Sequence, residues 1–176
     1  MKSSASTANG QEVPSSVVTK LTVLGATGSI GLNTLEIVRQ FPHKFKIEAL
    51  SCRSSIERLV EQIKEFQPRL VCVDNSEQAR ELRETFREGN SGTETEFGWG
   101  VEGLVQVSSD PEVDLVVAGI VGAAGLQPTF SAVQAGKTVA VANKEPLVMA
   151  GELFVQTANK TGAKLLPTDR EQNAIF

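Results

Sequence analysis

Two carboxylates, Asp169 and Glu171, stand one residue apart after the apolar segment 163–167. Residues at positions i and i+2 of an extended segment point to the same side, so both carboxylates can face one crevice. Such a strand end has two interpretations, a solvated sheet edge or part of a metal site. The spacing alone does not decide between them.

A glycine-rich turn, "GATGSIG", places Gly25, Gly28 and Gly31 at intervals of three residues. Glycine permits a tight turn and lets backbone N–H groups approach a pyrophosphate at a helix N-terminus. The spacing is a variant of the dinucleotide fingerprint, and it lies between a predicted strand and a predicted helix, as that motif requires. The context favours dinucleotide binding over a bare tight turn.

The residues after the second predicted strand bear on the choice of dinucleotide. Folds that select NAD usually place an acid there for the ribose 2′-OH, whereas an arginine accommodates a 2′-phosphate. This sequence has no acid in "SCRSS", where Ser54 and Ser55 follow Arg53. The pattern favours NADPH. A solvated arginine with a serine helix cap is the alternative, and the two are compatible because helix N-termini attract anions.

Strands and helices alternate along the chain, which predicts a doubly wound, mostly parallel, Rossmann-like α/β sheet. The short β-branched and apolar segments predict strands, and the segments with helical apolar periodicity predict helices. The predicted strands are 20–25, 45–50, 69–73, 114–120, 137–143 and 163–169, and the predicted helices are 31–41, 54–66, a helix capped by Ser76, 101–107, 128–136 and 146–160.

Three further predictions concern the first helix, the cap of the second helix and one surface loop. Leu32, Leu35, Val38 and Phe41 fall along one side of the first helix, which ends before Pro42. Ser54 or Ser55 is expected to cap the second helix. The polar, glycine-rich segment 87–100 predicts a surface loop.

Length and composition are those of a single globular domain. The chain has 176 residues, 40% of them hydrophobic, and a net charge of -4, which argues against a general nucleic-acid binder. No apolar run approaches the roughly 20 residues that span a bilayer, so no membrane association is expected. The two cysteines favour a reducing compartment, and we expect bacterial cytoplasm rather than a plastid.

Four segments in order, "LTVLGATGSIGLNTLEIV", "GIVGAAGLQPT", "AVANKE" and "LLPTDREQNAIF", resemble the 1-deoxy-D-xylulose 5-phosphate reductoisomerase family. The resemblance runs from about Lys20 to Phe176 and covers the N-terminal part of the family. It implies an NADPH-binding domain over 20–168 and the start of a catalytic domain over 169–176. The serine-rich composition of 1–19, without an apolar period, predicts a disordered tail. The implied reaction is the NADPH-dependent conversion of 1-deoxy-D-xylulose 5-phosphate to 2-C-methyl-D-erythritol 4-phosphate in non-mevalonate isoprenoid biosynthesis.

The resemblance also implies roles for individual residues. Lys144 matches a substrate-binding lysine and is assigned to catalysis, while Arg170 and Glu171 fall at substrate-binding positions. Asp169 and Glu171 match two ligands of a divalent metal, Mn²⁺, Mg²⁺ or Co²⁺. The partner is a phosphosugar substrate, and a homodimer is possible. The implied cofactor contacts are Thr27, Gly28, Ser29, Ile30, Arg53, Ser54, Ser55, Asn143 and Glu145.

The sequence departs from the family pattern at the last strand. Arg170 stands where the family has a serine, and Gln172 stands where it has a histidine. A hard divalent cation prefers about six oxygen ligands, and a guanidinium between two carboxylates can pair with either. We therefore expect weak metal binding and no catalysis by this chain alone.

Two other functions remain compatible with the sequence. One is another NADP-dependent reductase of the semialdehyde dehydrogenase type, which needs a nucleophilic cysteine that Cys52 and Cys72 match poorly by position. The other is a non-catalytic NADP-binding module or gene fragment.

Overall fold

The computed structural model describes residues 17–88, 94–143 and 145–168. In this part of the chain seven parallel strands form one sheet in the order β4-β3-β2-β1-β5-β6-β7. The predicted Rossmann-like α/β class is confirmed. The strands are β1 Thr19–Leu24, β2 Phe45–Ser51, β3 Leu70–Val73, β4 Glu96–Trp99, β5 Leu115–Ala118, β6 Thr138–Val141 and β7 Lys164–Pro167.

Helices cover both faces of the sheet. They are α1 Ser29–Gln40, α2 Ile56–Phe66, α3 Ser76–Glu88, α4 Gly100–Ser109, α5 Leu126–Gln134 and α6 Glu145–Thr161. Buried side chains of α1, α2 and α3 share one apolar cluster, and those of α4, α5 and α6 share the other. Consecutive residues of β1 enter different clusters, with Val23 in the first and Leu24 in the second, as the two-residue period of a strand requires. The sheet is therefore buried between two helical layers.

The core-facing side of α1 differs from the expectation. Gly31, Leu35 and Val38 are buried, whereas Leu32 and Phe41 are 36% and 39% exposed. The prediction was wrong for these two residues: Leu32 lies beside the buried face of α1 rather than on it, and Phe41 follows the last helical residue with a non-helical φ of -128° and ψ of 55°. Helix α1 ends at Gln40, as Pro42 predicts.

The expected surface loop over 87–100 was wrong in its second half, where β4 pairs with β3 from Leu70↔Glu96 to Val73↔Trp99. Phe97 is buried, and its ring lies 5.8 Å from that of Phe86, centroid to centroid. The buried Phe97 side chain therefore holds an edge strand in place within a segment whose polar, glycine-rich composition predicts a loop.

Helix starts also differ in detail from the prediction. The side chain that caps α3 is that of Asn75, whose Oδ1 accepts a hydrogen bond of 3.0 Å from the Gln78 N–H; Ser76 is the first helical residue. Ser55 occupies the N-cap position of α2 but makes no side-chain capping bond. Helix α6 consists of two helical segments that meet at Ala150, where φ is -145° and ψ is 27°.

A buried carboxylate connects the elements at the amino-terminal edge of the sheet. Glu48 of β2 is 3% exposed and accepts bonds from Lys46 Nζ at 3.1 Å and Arg69 Nε at 2.9 Å. Arg69 also contacts Asp110 at 2.6 Å, and that hydrogen bond is the main cause of the raised pKa of Arg69. This network is structural, since it lies at the edge opposite the strand ends where open α/β sheets bind ligands.

Candidate functional site

The strand order places a topological switch point between β1 and β5. Helix α1, which follows β1, and α5, which follows β5, cover opposite faces of the sheet. Open α/β sheets bind their ligands at such a switch point. Gly25 follows β1 and Gly119 follows β5, and the Gly119 N–H donates to Leu24 O at 3.0 Å. A Cβ on Gly25 would lie 3.2 Å from Gly119 O, so glycine allows the two strand ends to meet.

The glycine turn lies where the sequence predicts it, between β1 and α1. Gly25 has a φ of +79°, a backbone conformation that glycine adopts readily. Gly28 closes the turn by donating to Gly25 O at 3.1 Å and is the N-cap of α1, without a side-chain capping bond and without an acid in the first helical turn. The first N–H groups of a helix have no partner within the helix. This N-terminus is therefore open to an anion.

The third glycine of the motif has a packing role. A Cβ on Gly31 would lie 2.5 Å from the backbone of Ala26. This distance is far below a normal carbon–carbon contact, so only glycine lets α1 sit directly against the turn.

The end of β2 holds the glycine turn in place. The Ser51 hydroxyl accepts from the Gly25 N–H at 3.0 Å, and Ser51 O accepts from the Ala26 N–H at 2.8 Å. Thr27 Oγ1 lies 3.2 Å from Cys52 Sγ. Sequence reasoning missed Ser51, because its partners lie about 25 residues earlier and no local pattern marks the pairing.

The three residues predicted to select the cofactor lie exposed at the β2–α2 connection. The Arg53 side chain is 86% exposed, and its Nε lies 3.9 Å from Asp74 Oδ1, beyond the end of β3. The sequence shows no acid after β2, yet the fold brings this one close from the next strand. The ion pair is long and solvated, so it restrains Arg53 weakly. Ser54 and Ser55 are also exposed.

The end of β6 contributes Asn143, which is half-buried. Its Nδ2 is buried and has no hydrogen-bond partner within the described part of the chain. A buried amide donor without a partner is unfavourable, and it fits a site that awaits a polar ligand. Glu145 is exposed at the start of α6, and Lys144, between them, lies outside the described residues.

The predicted metal and substrate residues Asp169, Arg170 and Glu171 also lie outside the described residues. The chain reaches them from β7, where the Thr168 N–H donates to Val141 O at 3.1 Å. The last described residue is therefore at the same carboxyl edge as the glycine turn. Over 17–88, 94–143 and 145–168, no three His, Cys, Asp or Glu side chains are grouped to hold a metal ion.

The cysteines do not offer the nucleophile that a semialdehyde dehydrogenase would need. Cys72 is fully buried, and burial raises the pKa of its thiol to about 12. Cys52 is also buried and lies against Thr27.

In the described ranges no helix is long and apolar enough to cross a bilayer.

Comparison with known proteins gives a consistent result. The family model described as 1-deoxy-D-xylulose 5-phosphate reductoisomerase matches residues 21–151. The reductoisomerase of Dechloromonas aromatica is 51% identical over 162 residues, covering 92% of this chain and 40% of that protein. The Glaesserella parasuis reductoisomerase is 48% identical over 157 residues, covering 89% of this chain and 39% of that protein.

Solved structures agree with the sequence comparison. The crystal structure of DOX-P reductoisomerase in complex with NADPH, fosmidomycin and magnesium is 45% identical, with a TM-score of 0.84 over 89% of this chain and 38% of that one. The Zymomonas mobilis enzyme in complex with NADPH is 34% identical, with a TM-score of 0.81 over 89% of this chain and 40% of that one. This chain spans about 40% of the length of these relatives, and it belongs to the 1-deoxy-D-xylulose 5-phosphate reductoisomerase family.

Proposed function

We propose that this chain is the NADPH-binding part of a 1-deoxy-D-xylulose 5-phosphate reductoisomerase. The observation that carries the proposal is the open N-terminus of α1, which the glycine turn presents at the switch point between β1 and β5. Free backbone N–H groups and the helix dipole together form a site for a pyrophosphate.

We assign the remaining cofactor contacts to the residues predicted from the sequence. The 2′-phosphate is assigned to the β2–α2 connection, where an exposed arginine and two serine hydroxyls offer donors. The unpartnered Asn143 amide supplies a further donor from β6. When bound, NADPH supplies the hydride for the reduction, and the residues of this chain bind and orient it. The assigned cofactor residues are Thr27, Gly28, Ser29, Ile30, Arg53, Ser54, Ser55, Asn143 and Glu145.

The substrate and metal assignments rest on the family resemblance. We assign Lys144, Arg170 and Glu171 to the phosphosugar substrate, with Lys144 as the catalytic residue, and Asp169 and Glu171 to a weakly held divalent metal. The complete activity, a homodimeric assembly and a bacterial cytoplasmic location are part of the same proposal.

Calorimetric titration with NADPH and NADH tests the proposal. We expect NADPH to bind about tenfold to a hundredfold more tightly, because an arginine paired with the 2′-phosphate contributes on the order of 1–3 kcal/mol. Arg53→Met should reduce this ratio, whereas Arg80→Met, which removes an exposed arginine from α3, should leave it unchanged. Equal affinity of the wild-type chain for the two cofactors would contradict the assignment.

A further inference from the structure

Two side chains of α2 reach across to the glycine turn. Gln62 Nε2 donates to Ala26 O at 3.0 Å, and Arg58 Nη1 donates to Thr27 O at 3.3 Å. The donors are four residues apart, so they lie on one face of the helix. Their acceptors are consecutive carbonyls of the turn.

Gln62 is a polar side chain in an unfavourable place. It is 3% exposed, and its Oε1 is buried without a hydrogen-bond partner in the described structure. Reversing the amide would set Oε1 against Ala26 O, so that two acceptors would face each other. A methionine would fill a similar volume without leaving a buried oxygen unsatisfied. The hydrogen bond to Ala26, rather than the filling of space, therefore accounts for glutamine at this position.

The two hydrogen bonds fix the orientation of two peptide groups. In a planar trans peptide the N–H points opposite to the C=O, and the described chain has no cis bonds. With Ala26 O held toward α2, the Thr27 N–H points away from α2, and no acceptor in the described chain engages it. The next peptide is held at both ends, because Thr27 O accepts from Arg58 and the Gly28 N–H donates to Gly25 O.

We propose that Gln62 and Arg58 are positioning residues that set the glycine turn in its ligand-binding orientation before the dinucleotide arrives. The inference rests on the proposed binding of NADPH. Preorganisation of this kind raises affinity by removing the cost of ordering the turn. The turn faces the pyrophosphate, which NADPH and NADH share, so both cofactors should be affected equally.

The experiment compares Gln62→Met and Arg58→Met with Lys64→Met, which alters an exposed side chain of the same helix. Calorimetry gives the Kd of NADPH and of NADH for each protein, and thermal unfolding gives the Tm. We expect each of the first two variants to weaken both cofactors by about three- to tenfold, with their ratio unchanged. The Tm should change by no more than about 3 °C, and Lys64→Met should match the wild type.

Several outcomes would overturn the inference. Unchanged Kd values, including those accompanied by a fall in Tm, would show that the two side chains only support the fold. Loss of NADPH affinity alone in Arg58→Met would make Arg58 a contact of the 2′-phosphate. If Gln62→Met does not fold, Arg58→Met decides, because its side chain is exposed.

A second readout separates this inference from the proposed function. If the wild-type chain binds neither cofactor, the proposed function fails, and hydrogen exchange of the Gly28 amide, which donates to Gly25 O, then tests the positioning role directly. Exchange about three- to tenfold faster in Gln62→Met and Arg58→Met, but not in Lys64→Met, supports it. Unchanged exchange overturns it.

Discussion

The thiol of Cys72 makes stability depend on pH in the alkaline range. Its pKa is about 12 in the folded chain, against an ordinary value of 9.0, because burial disfavours the thiolate and the Asp74 charge adds to the effect. The unfolded chain releases this proton near pH 9, whereas the folded chain keeps it. The free energy of unfolding therefore falls between pH 9 and pH 12, by about 1.4 kcal/mol per pH unit from this group.

Urea unfolding at pH 8 and pH 10 measures this effect. Between these two values the wild type should lose about 1 kcal/mol more stability than Cys72→Ala does. The variant is expected to be less stable at both values because its core is less well packed, so only the difference in slope is informative. The chain has no tyrosine to titrate in the same range. Parallel pH profiles would refute the assignment.

Arg170 is expected to govern how tightly the chain holds a metal. It stands between the two predicted carboxylate ligands in the sequence, and its guanidinium can pair with either. Arg170→Ser should tighten Mn²⁺ binding, and Asp169→Asn should weaken it. Broadening of amide signals by titrated Mn²⁺ reports both, with Arg80→Ser as a control for the loss of one positive charge. Broadening centred away from residues 169–171, or no effect of Arg170→Ser, would rule out the metal site.

Part of the candidate site could be predicted from the sequence. Gly25, Gly28 and Gly31 are visible because a short motif stands between a strand and a helix. Ser51 and Gln62 are not, since each supports the turn across a separation of 26 residues or more. Asp74 approaches Arg53 only because β2 and β3 are neighbours in the sheet.

At the scale of single elements, glycine has opposite effects in two helices. A Cβ placed on Gly31 of α1 would clash with the Ala26 backbone, whereas nothing lies within 4 Å of a Cβ placed on Gly151 of α6. Gly31→Ala should destabilise the chain by about 1–3 kcal/mol through overpacking. Gly151→Ala should stabilise it by up to about 1 kcal/mol, through the higher helix propensity of alanine. Thermal unfolding of the two variants should give shifts of opposite sign; shifts of the same sign would contradict the packing argument.

Helices and strands with a clear hydrophobic pattern could be predicted from the sequence. Elements that depend on contacts between distant residues could not. All six predicted strands are present, and the apolar runs of β1, β2, β3, β5 and β6 are buried between two helical layers. Strand β7 is largely exposed and forms by pairing with β6. Strand β4 was missed, since it depends on Phe97 packing against α3 and on pairing with β3. The break at Ala150 was missed as well, because alanine is a strong helix former and no local residue signals it.

At the scale of the whole molecule, we expect residues 1–176 alone not to turn over 1-deoxy-D-xylulose 5-phosphate. The chain spans about 40% of the length of its relatives, and the two predicted carboxylates leave most of a metal's coordination sphere to water. The assay follows NADPH absorbance with substrate and Mn²⁺, and the full-length Dechloromonas aromatica relative serves as the positive control. A sustained rate above background, in protein free of host enzyme, would contradict the expectation.

The pairing of β1 with β5 has a consequence for how the chain folds and holds together. Leu21 pairs with Leu115, so β1 and β5 can pair only after the long segment between them has been synthesised. Contacts between residues so far apart in the sequence form slowly during folding. The glycine turn is completed at this seam, where Gly119 bonds to Leu24. A dinucleotide bound there would contact both the early and the late half of the chain and stabilise the folded state, so that the lifetime of the folded protein would rise with the cofactor concentration.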